Sequence, residues 1–272
     1  MYRADSHLHT CFSFDGNPLA TVDAICRAAC ERGLQEITFT DHCDINGEVE
    51  GIYAPFPIEK ARKEVLAARE AYRGKLIVNW GIELGQPYQY PDAARALIDR
   101  GEFDFVLGSL HNLTGVPDFY FLRYAQMTDP LLDQLFARCL AESMEVIRFP
   151  GVHSLAHLTY PCRYYALDGR SFDPMRYADQ IAALFDEMRQ RGVALEINSS
   201  TLRKGLDFTL PNESILQLWR ECGGELVTIG SDAHSAEEVG ADFDAVCAML
   251  LRCGFSSFVT FRGGAPVEHP LV

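Results

Sequence analysis

The feature that most constrains the fold is an alternation that runs from one end of the chain to the other. Short apolar runs at "EITFT" (36–40), "LIVNWGIEL" (76–84), "FDFVLGSLH" (103–111), "VHSLAHL" (152–158), "VALEIN" (193–198), "ELVTIGSDAH" (225–234) and "SSFVTF" (256–261) are separated by segments with helical periodicity. "PLATVDAICRAACERG" has apolar residues at spacings of three and four and stops at Gly33; "FPIEKARKEVLAAREAYRG" repeats the design and stops at Gly74. "DPMRYADQIAALFDEMRQRG" and "SAEEVGADFDAVCAMLLRCG" follow suit, the latter with Ser235 and Glu238 spaced as a capping box that predicts a helix start. A strand-helix alternation of this kind predicts parallel strands joined by crossover helices, and seven or eight such units without a linker favour a closed barrel over an open sheet. The whole chain, 1–272, reads as one domain. "DINGEVEGIYAPFP" is the longest irregular stretch and is expected to cover the mouth of a site.

Charge narrows the partners. The formal charge is −14 and no Lys/Arg-rich run occurs, which argues against a nucleic-acid track or an anionic membrane surface. A phosphorylated small molecule would need a local cationic pocket. No apolar run approaches a membrane span, and "MYRADSHLHT" lacks the apolar core of a signal peptide, so a cytoplasmic protein is expected. Nine scattered cysteines without a C-x-x-C pair fit reduced thiols. Cys26 and Cys30 are expected to face the core, and Cys11 and Cys43 to lie beside candidate ligands. Oligomeric state is not legible.

In a barrel, chemistry sits where strands end and βα loops begin. Six of the eight histidines fall there: His7, His9, His42, His111, His157 and His234, leaving only His153 and His269 elsewhere. His7 and His9 alternate on a strand and so share a face. Asp15, Asp41, Glu83 and Asp232 share these ends. Imidazoles and carboxylates suit Zn, Mn or Fe, and so many donors exceed one tetrahedral ion, predicting two or three bridged metals.

The motifs H-x-H (7–9), "TDH" (40–42), "GIE" (81–83), "GSLH" (108–111), "AHL" (156–158) and "GSDAH" (230–234) resemble those of the PHP (polymerase and histidinol phosphatase) metal-dependent hydrolases. "EINSSTLRKG" followed by "TIGSDAHSAEEVG" is similar to the monofunctional histidinol-phosphate phosphatase branch. The resemblance implies a distorted (β/α)7 TIM-like barrel with three divalent ions. It implies that His7, His9, Glu83 and Asp232 hold the first ion, that Glu83 bridges to a second held by His111 and His157, and that Asp15, His42 and His234 hold the third. Asp15 departs from the histidine often found there. Asp41, and similarly Asp5, are read as orienting partners of imidazoles rather than ligands.

The implied reaction is hydrolysis of L-histidinol phosphate, a step of histidine biosynthesis, by attack of a metal-activated hydroxide in line with the leaving oxygen. Asp232, His234 and His42 are candidates for handling the leaving group's proton. Arg123, Arg163 and Arg203 follow strands that carry site residues and have the planar fork that grips phosphate, with Tyr164 a neighbouring hydroxyl donor. Glu48, Glu50 or Asp118 would receive the substrate's cationic end. The alternatives are another PHP phosphoesterase acting on a nucleotide or small phosphomonoester, a metal-dependent amidohydrolase, and a non-enzymatic metal module. His42, His234, Arg163 and Arg203 favour phosphate over an amide, and a module would be expected to have lost ligand positions.

Overall fold

The computed structural model describes all 272 residues. Its strands are β1 (Ala4–Leu8), β2 (Glu36–Phe39), β3 (His42–Asp44), β4 (Ile77–Gly85), β5 (Phe105–Ser109), β6 (Ser154–Leu155), β7 (Ala194–Asn198) and β8 (Val227–Gly230), with a terminal pair β9 (Ser257–Arg262) and β10 (Ala265–Pro270). The sheet runs β1-β2-β4-β5-β6-β7-β8 in parallel, and β3 extends the β2 position by pairing with β4 so that His42 lies opposite Glu83. Closure comes from the segment after β8. The Asp232 N–H donates to the His7 carbonyl and the His9 N–H to the Ala233 carbonyl, each at 2.9 Å. Asp5 fastens the same seam, accepting from the backbone N–H of Ser231 at 2.9 Å and of Gly240 at 2.7 Å. The result is the nearly closed barrel that the alternation favours, with the seven strand positions of the TIM-like barrel that the resemblance implies.

The helices are α1 (Val22–Glu31), α2 (Ile45–Val49), α3 (Ile58–Ala71), α4 (Pro91–Gly101), α5 (Asp129–Arg148), α6 (Tyr160–Leu167), α7 (Ala178–Arg191), α8 (Glu213–Glu221) and α9 (Phe243–Arg252). Thr21 starts α1 by accepting from the Ala24 N–H, and the helix buries Val22, Ile25, Cys26 and Ala29 at their helical spacing. Gly192 ends α7 in the left-handed region at φ 69°, from which its N–H reaches the carbonyls of Met188 and Arg189. None of the helices is long and apolar enough to cross a membrane. The main apolar core, between barrel and helices, draws on residues from Ala4 to Leu271.

Three sequence expectations are corrected. Ser235 caps no helix: residues 236–238 form a single 3-10 turn, the Glu238 carboxylate accepts from the His234 N–H at 3.2 Å, and α9 begins only at Phe243. The run 256–261 is a strand, yet it pairs antiparallel with β10 instead of joining the barrel. This hairpin packs Val259 and Phe261 against Phe105, Leu107, Ala156 and Ala194, and so stoppers the barrel. The stretch after Asp44 is less irregular than its composition suggests, since it contains α2. Cys26 is buried and Cys30 only partly so, and all nine thiols are free.

Candidate metal and phosphate site

The nine candidate ligands converge where the strands end. His7 and His9 leave β1 on one face, with their Nε2 atoms 2.9 Å apart. Both lie near Glu83 Oε2, at 3.4 and 3.6 Å, and near Asp232 Oδ1, at 3.8 and 3.4 Å. Glu83 presents its other oxygen to His111 Nε2 at 3.1 Å and His157 Nε2 at 2.8 Å. His234 Nε2 is 3.1 Å from Asp15 Oδ2, and His42 Nε2 is 3.7 Å from the same oxygen. His42 also turns Nδ1 toward Glu83 Oε2 at 2.7 Å, so it stands between the Glu83 group and the Asp15 group.

The imidazoles are aimed from behind. Glu196 takes His7 Nδ1 at 2.6 Å, Asp44 takes His111 Nδ1 at 2.9 Å, and Ser13 meets His9 Nδ1 at 3.1 Å. With the Nδ1 proton given to an oxygen in each case, the Nε2 lone pair faces the centre. Asp41 acts at one remove: it accepts from the Ser13 hydroxyl at 2.8 Å and from the Thr10 N–H at 2.6 Å, and touches no imidazole itself. Glu196 also accepts from the His157 N–H at 2.7 Å. Gln86, His157 and Asp232 hold positive φ values of 46°, 25° and 55°, a left-handed backbone that non-glycine residues seldom adopt and that gathers here at strand ends.

Whether this donor set fits metal ions can be tested on its own geometry. Two Nε2 lone pairs facing each other at 2.9 Å repel unless a cation or a proton lies between them. Glu83 Oε2 and His42 Nδ1 are buried and lie close together, yet neither has a hydrogen-bond partner. At ion-pair distance but out of hydrogen-bond geometry, both atoms are left poorly satisfied, which is costly in a finished protein interior. Three sets of donor atoms, His7/His9/Asp232, His9/His42/His234 and His42/Glu83/His111, each lie within 4.8 Å of one another. The residues therefore fit divalent ions.

The charges agree. Burial would raise Glu83, but His42, His111 and His7 hold it well below the usual carboxylate range. Asp232 is likewise held down, against burial, by His7, His9, His234 and Arg163. Burial opposes protonation of His42, yet Glu83 and Asp15 push it up to about 9. His9 goes the other way, lowered by burial and by the neighbouring His234 and His42. Without ions, protons are thus spread unevenly over a crowded set of bases.

Above the cluster opens a cavity of about 640 Å³. Arg163, Arg203 and Lys204 line it, as do Tyr160, Tyr164 and Ser200. Arg163 is buried, donates to the Ser200 hydroxyl, approaches Asp232 Oδ2 at 3.3 Å and leaves its Nε without a partner. Arg203 is held by the Ser231 carbonyl at 2.6 Å. Arg123 is a correction: it is exposed on the loop after β5 and does not reach the cavity, because Tyr124, not Arg123, turns inward there. Of the acidic loop residues, Glu48 is engaged by Cys43 and the Phe56 N–H, and Glu50 by the Tyr90 hydroxyl. Asp118 lines the cavity, accepts only the Tyr120 N–H, and pairs with no cation of the chain. Burial raises its pKa. Phe14 and Tyr53, stacked at 3.9 Å, form an apolar wall beside His42. Cys11 borders a smaller neighbouring cavity with His42, and Cys43 is buried.

Sequence reading missed Glu196, Asp44, Ser13 and Lys204. A signal for the first existed: Glu196 and Asn198 are the polar members of the otherwise apolar run "VALEIN", on one face of β7. Asp44 similarly alternates with His42 on β3.

Known proteins resemble the chain over nearly its whole length. The chain is 30% identical over 251 residues to a probable histidinol-phosphatase of Clostridium acetobutylicum, covering 92% of this chain and 93% of that one. It is 24% identical over 272 residues to the histidinol-phosphatase of Lactococcus lactis, covering 97% and 96%. The crystal structure of histidinol phosphate phosphatase from Lactococcus lactis, complexed with Zn, L-histidinol and phosphate, shares the fold with a TM-score of 0.82 at 22% identity, over 97% of this chain and 98% of that one. Residues 5–200 match the PHP domain, and the chain belongs to the PHP family.

Proposed function

We propose that this protein is a metal-dependent phosphomonoesterase that hydrolyses L-histidinol phosphate to L-histidinol and phosphate. The observation that carries the reading is one cavity with a metal-fitting histidine and carboxylate cluster at its base, three cations on its wall and one unpaired carboxylate, Asp118, on a different loop. That polarity matches a substrate with a dianion at one end and an amine and imidazole at the other. The names borne by the relatives in Clostridium and Lactococcus point to the same substrate.

His7, His9, Glu83 and Asp232 would hold one ion, Glu83, His111 and His157 a second, and Asp15, His42 and His234 a third. When bound, such ions supply positive charge to the phosphoryl oxygens and make a water nucleophilic near neutral pH. The chain does the rest. Glu196, Asp44 and Ser13 keep the Nδ1 protons of His7, His111 and His9 and so keep Nε2 free. Arg163 and Arg203, with Lys204, neutralise the phosphate in a chain whose net charge is −14. Asp118 receives the cationic end, and the Phe14–Tyr53 wall shields that end from water.

The test is phosphate release from a panel of small phosphomonoesters, with metal analysis of the same sample. L-histidinol phosphate should be turned over fastest. Faster release from a nucleotide or a phosphomonoester with an uncharged organic part would overturn the assignment. Asp118→Asn should raise KM for L-histidinol phosphate and leave that for a phosphomonoester with an uncharged organic part unaffected.

A further inference from the structure

Behind the cluster lies a group of buried amides that the reading above does not use. Gln86 follows β4 directly, is fully buried, and is held at a φ of 46°. Its Oε1 accepts the backbone N–H of His111 at 2.7 Å. Its Nε2 donates to Asn46 Oδ1 at 3.0 Å and to Asn112 Oδ1 at 2.7 Å. Asn46 closes the triangle, its Nδ2 donating to Asn112 Oδ1 at 3.1 Å. Asn112 then spends its own amide protons on the carbonyls of Leu113 and Val116, at 3.1 and 3.3 Å.

The three amides sit at a junction. Asn46 is two residues from Asp44, whose carboxylate holds the His111 ring, and Gly85 leaves the space for that carboxylate, since a Cβ there would lie 1.9 Å from Asp44 Oδ1. Asn112 folds the turn that leads to Asp118, and the Phe119 N–H returns to the His111 carbonyl at 2.9 Å. His111 is thus gripped at its ring by Asp44 and at its backbone by Gln86, while the same triangle shapes the loop that places Asp118 and Tyr120 at the cavity. A fully satisfied polar network in a low-dielectric interior specifies a single arrangement, and losing one member leaves the others unpaired.

We propose that Asn46, Gln86 and Asn112 are positioning residues that set, through one device, both the hold of His111 on its metal ion and the placement of the loop that reads the organic end of the substrate. This rests on the proposed histidinol-phosphatase activity. It goes beyond that activity by coupling the metal end and the specificity end of the cavity.

Gln86→Met conserves volume and deletes all three bonds. Zn²⁺ titrated into chelator-stripped protein should show affinity for one ion reduced about 10- to 100-fold, the usual cost of removing a ligand's supporting partner. On reloaded enzyme, KM for L-histidinol phosphate should rise by about tenfold while KM for p-nitrophenyl phosphate stays within about twofold. Asn46→Ala, which trims one corner without adding bulk, should shift both readouts in the same direction by less, and it decides the matter if Gln86→Met does not fold. Folded variants with wild-type Zn²⁺ titration and an unchanged KM ratio overturn the proposal. So does a shift in kcat alone, or a rise in KM that is equal for both esters. A wild-type enzyme that shows no preference for L-histidinol phosphate overturns the functional reading instead, and the Zn²⁺ titration still reports on the His111 grip.

Discussion

The two ends of the barrel bury the same kinds of residue and use them differently. At the N-terminal end, Glu36 is completely buried and completely paired: Arg262 reaches both its oxygens, Asn79 donates at 2.6 Å and the Tyr2 hydroxyl at 2.9 Å. At the C-terminal end, Glu83 is equally buried, yet one oxygen has no hydrogen bond and five imidazoles crowd round the carboxylate. The histidines divide in the same way. His153 accepts the Val106 N–H at 2.9 Å against Phe105 and Phe261, and His269 stacks on Tyr2 with Thr260 beside its Nε2. His7 and His9 instead aim nitrogen at nitrogen. One end is satisfied by its own chain; the other requires something added. That difference, more than the number of histidines, separates a structural interior from a site.

The sharpest way to separate the ends is to damage each in turn. Phe261→Ala removes a buried ring from the hairpin that stoppers the barrel and should cost about 3–5 kcal/mol in urea unfolding. The folded enzyme should keep its kcat, because nothing in the hairpin reaches the cavity. A parallel loss of kcat would show that the two ends are not independent. His9→Ala should do the reverse. Phosphate release should fall by more than about 100-fold, beyond the cost of losing a mere supporting partner of a ligand. Stability of the metal-stripped protein should hold, since a crowded base is removed. A Tm drop matching that of Phe261→Ala would mark His9 as a packing residue.

Chelation tests what the open end lacks. Ions that bind only the folded chain stabilise it by about 2.7 kcal/mol per site at a free concentration one hundred times Kd. Stripping wild-type protein should therefore lower Tm and abolish phosphate release, with both restored by Zn²⁺. Phe261→Ala should show the same Zn²⁺ increment from a lower baseline, and His9→Ala a smaller one. An equal increment in His9→Ala would remove that residue from the ligand set.

These contrasts also explain what the sequence could reveal. Period-two and period-3.6 patterns with glycine stops are local, so the alternation and the six strand-end histidines were readable in one dimension. Glu196 and Asp44 were not, because their meaning lies in which imidazole they meet: His7 is 189 residues from Glu196 and His111 is 67 from Asp44. β6 is only two residues long, so "VHSLAHL" looked like a longer strand than the barrel uses. The hairpin partner of "SSFVTF" was hidden because "APVEHP" carries two prolines, a composition tolerated only on a sheet edge. Arg123 failed for a related reason. Sequence places an arginine after a strand, but only the fold of the loop decides whether Arg123 or Tyr124 turns inward.

The finest distinction between the ends is in their response to acid. His153 is lowered from its ordinary value by burial alone, and its neutral ring accepts the Val106 N–H. Above pH 6.5 the ring is neutral in both folded and unfolded chains, and its contribution to stability is constant. Below 6.5 the unfolded chain takes up a proton that the folded ring refuses, so stability falls as pH drops toward the folded pKa. The slope from one such proton cannot exceed about 1.4 kcal/mol per pH unit. His153→Asn offers a side-chain oxygen where Nδ1 stood and does not titrate. Its urea-unfolding stability, measured on stripped protein at pH 7.5, 6.5 and 5.5, should start below wild type through lost ring packing and then decline less steeply below 6.5. Identical slopes would remove His153 from the groups that make the fold sensitive to acid.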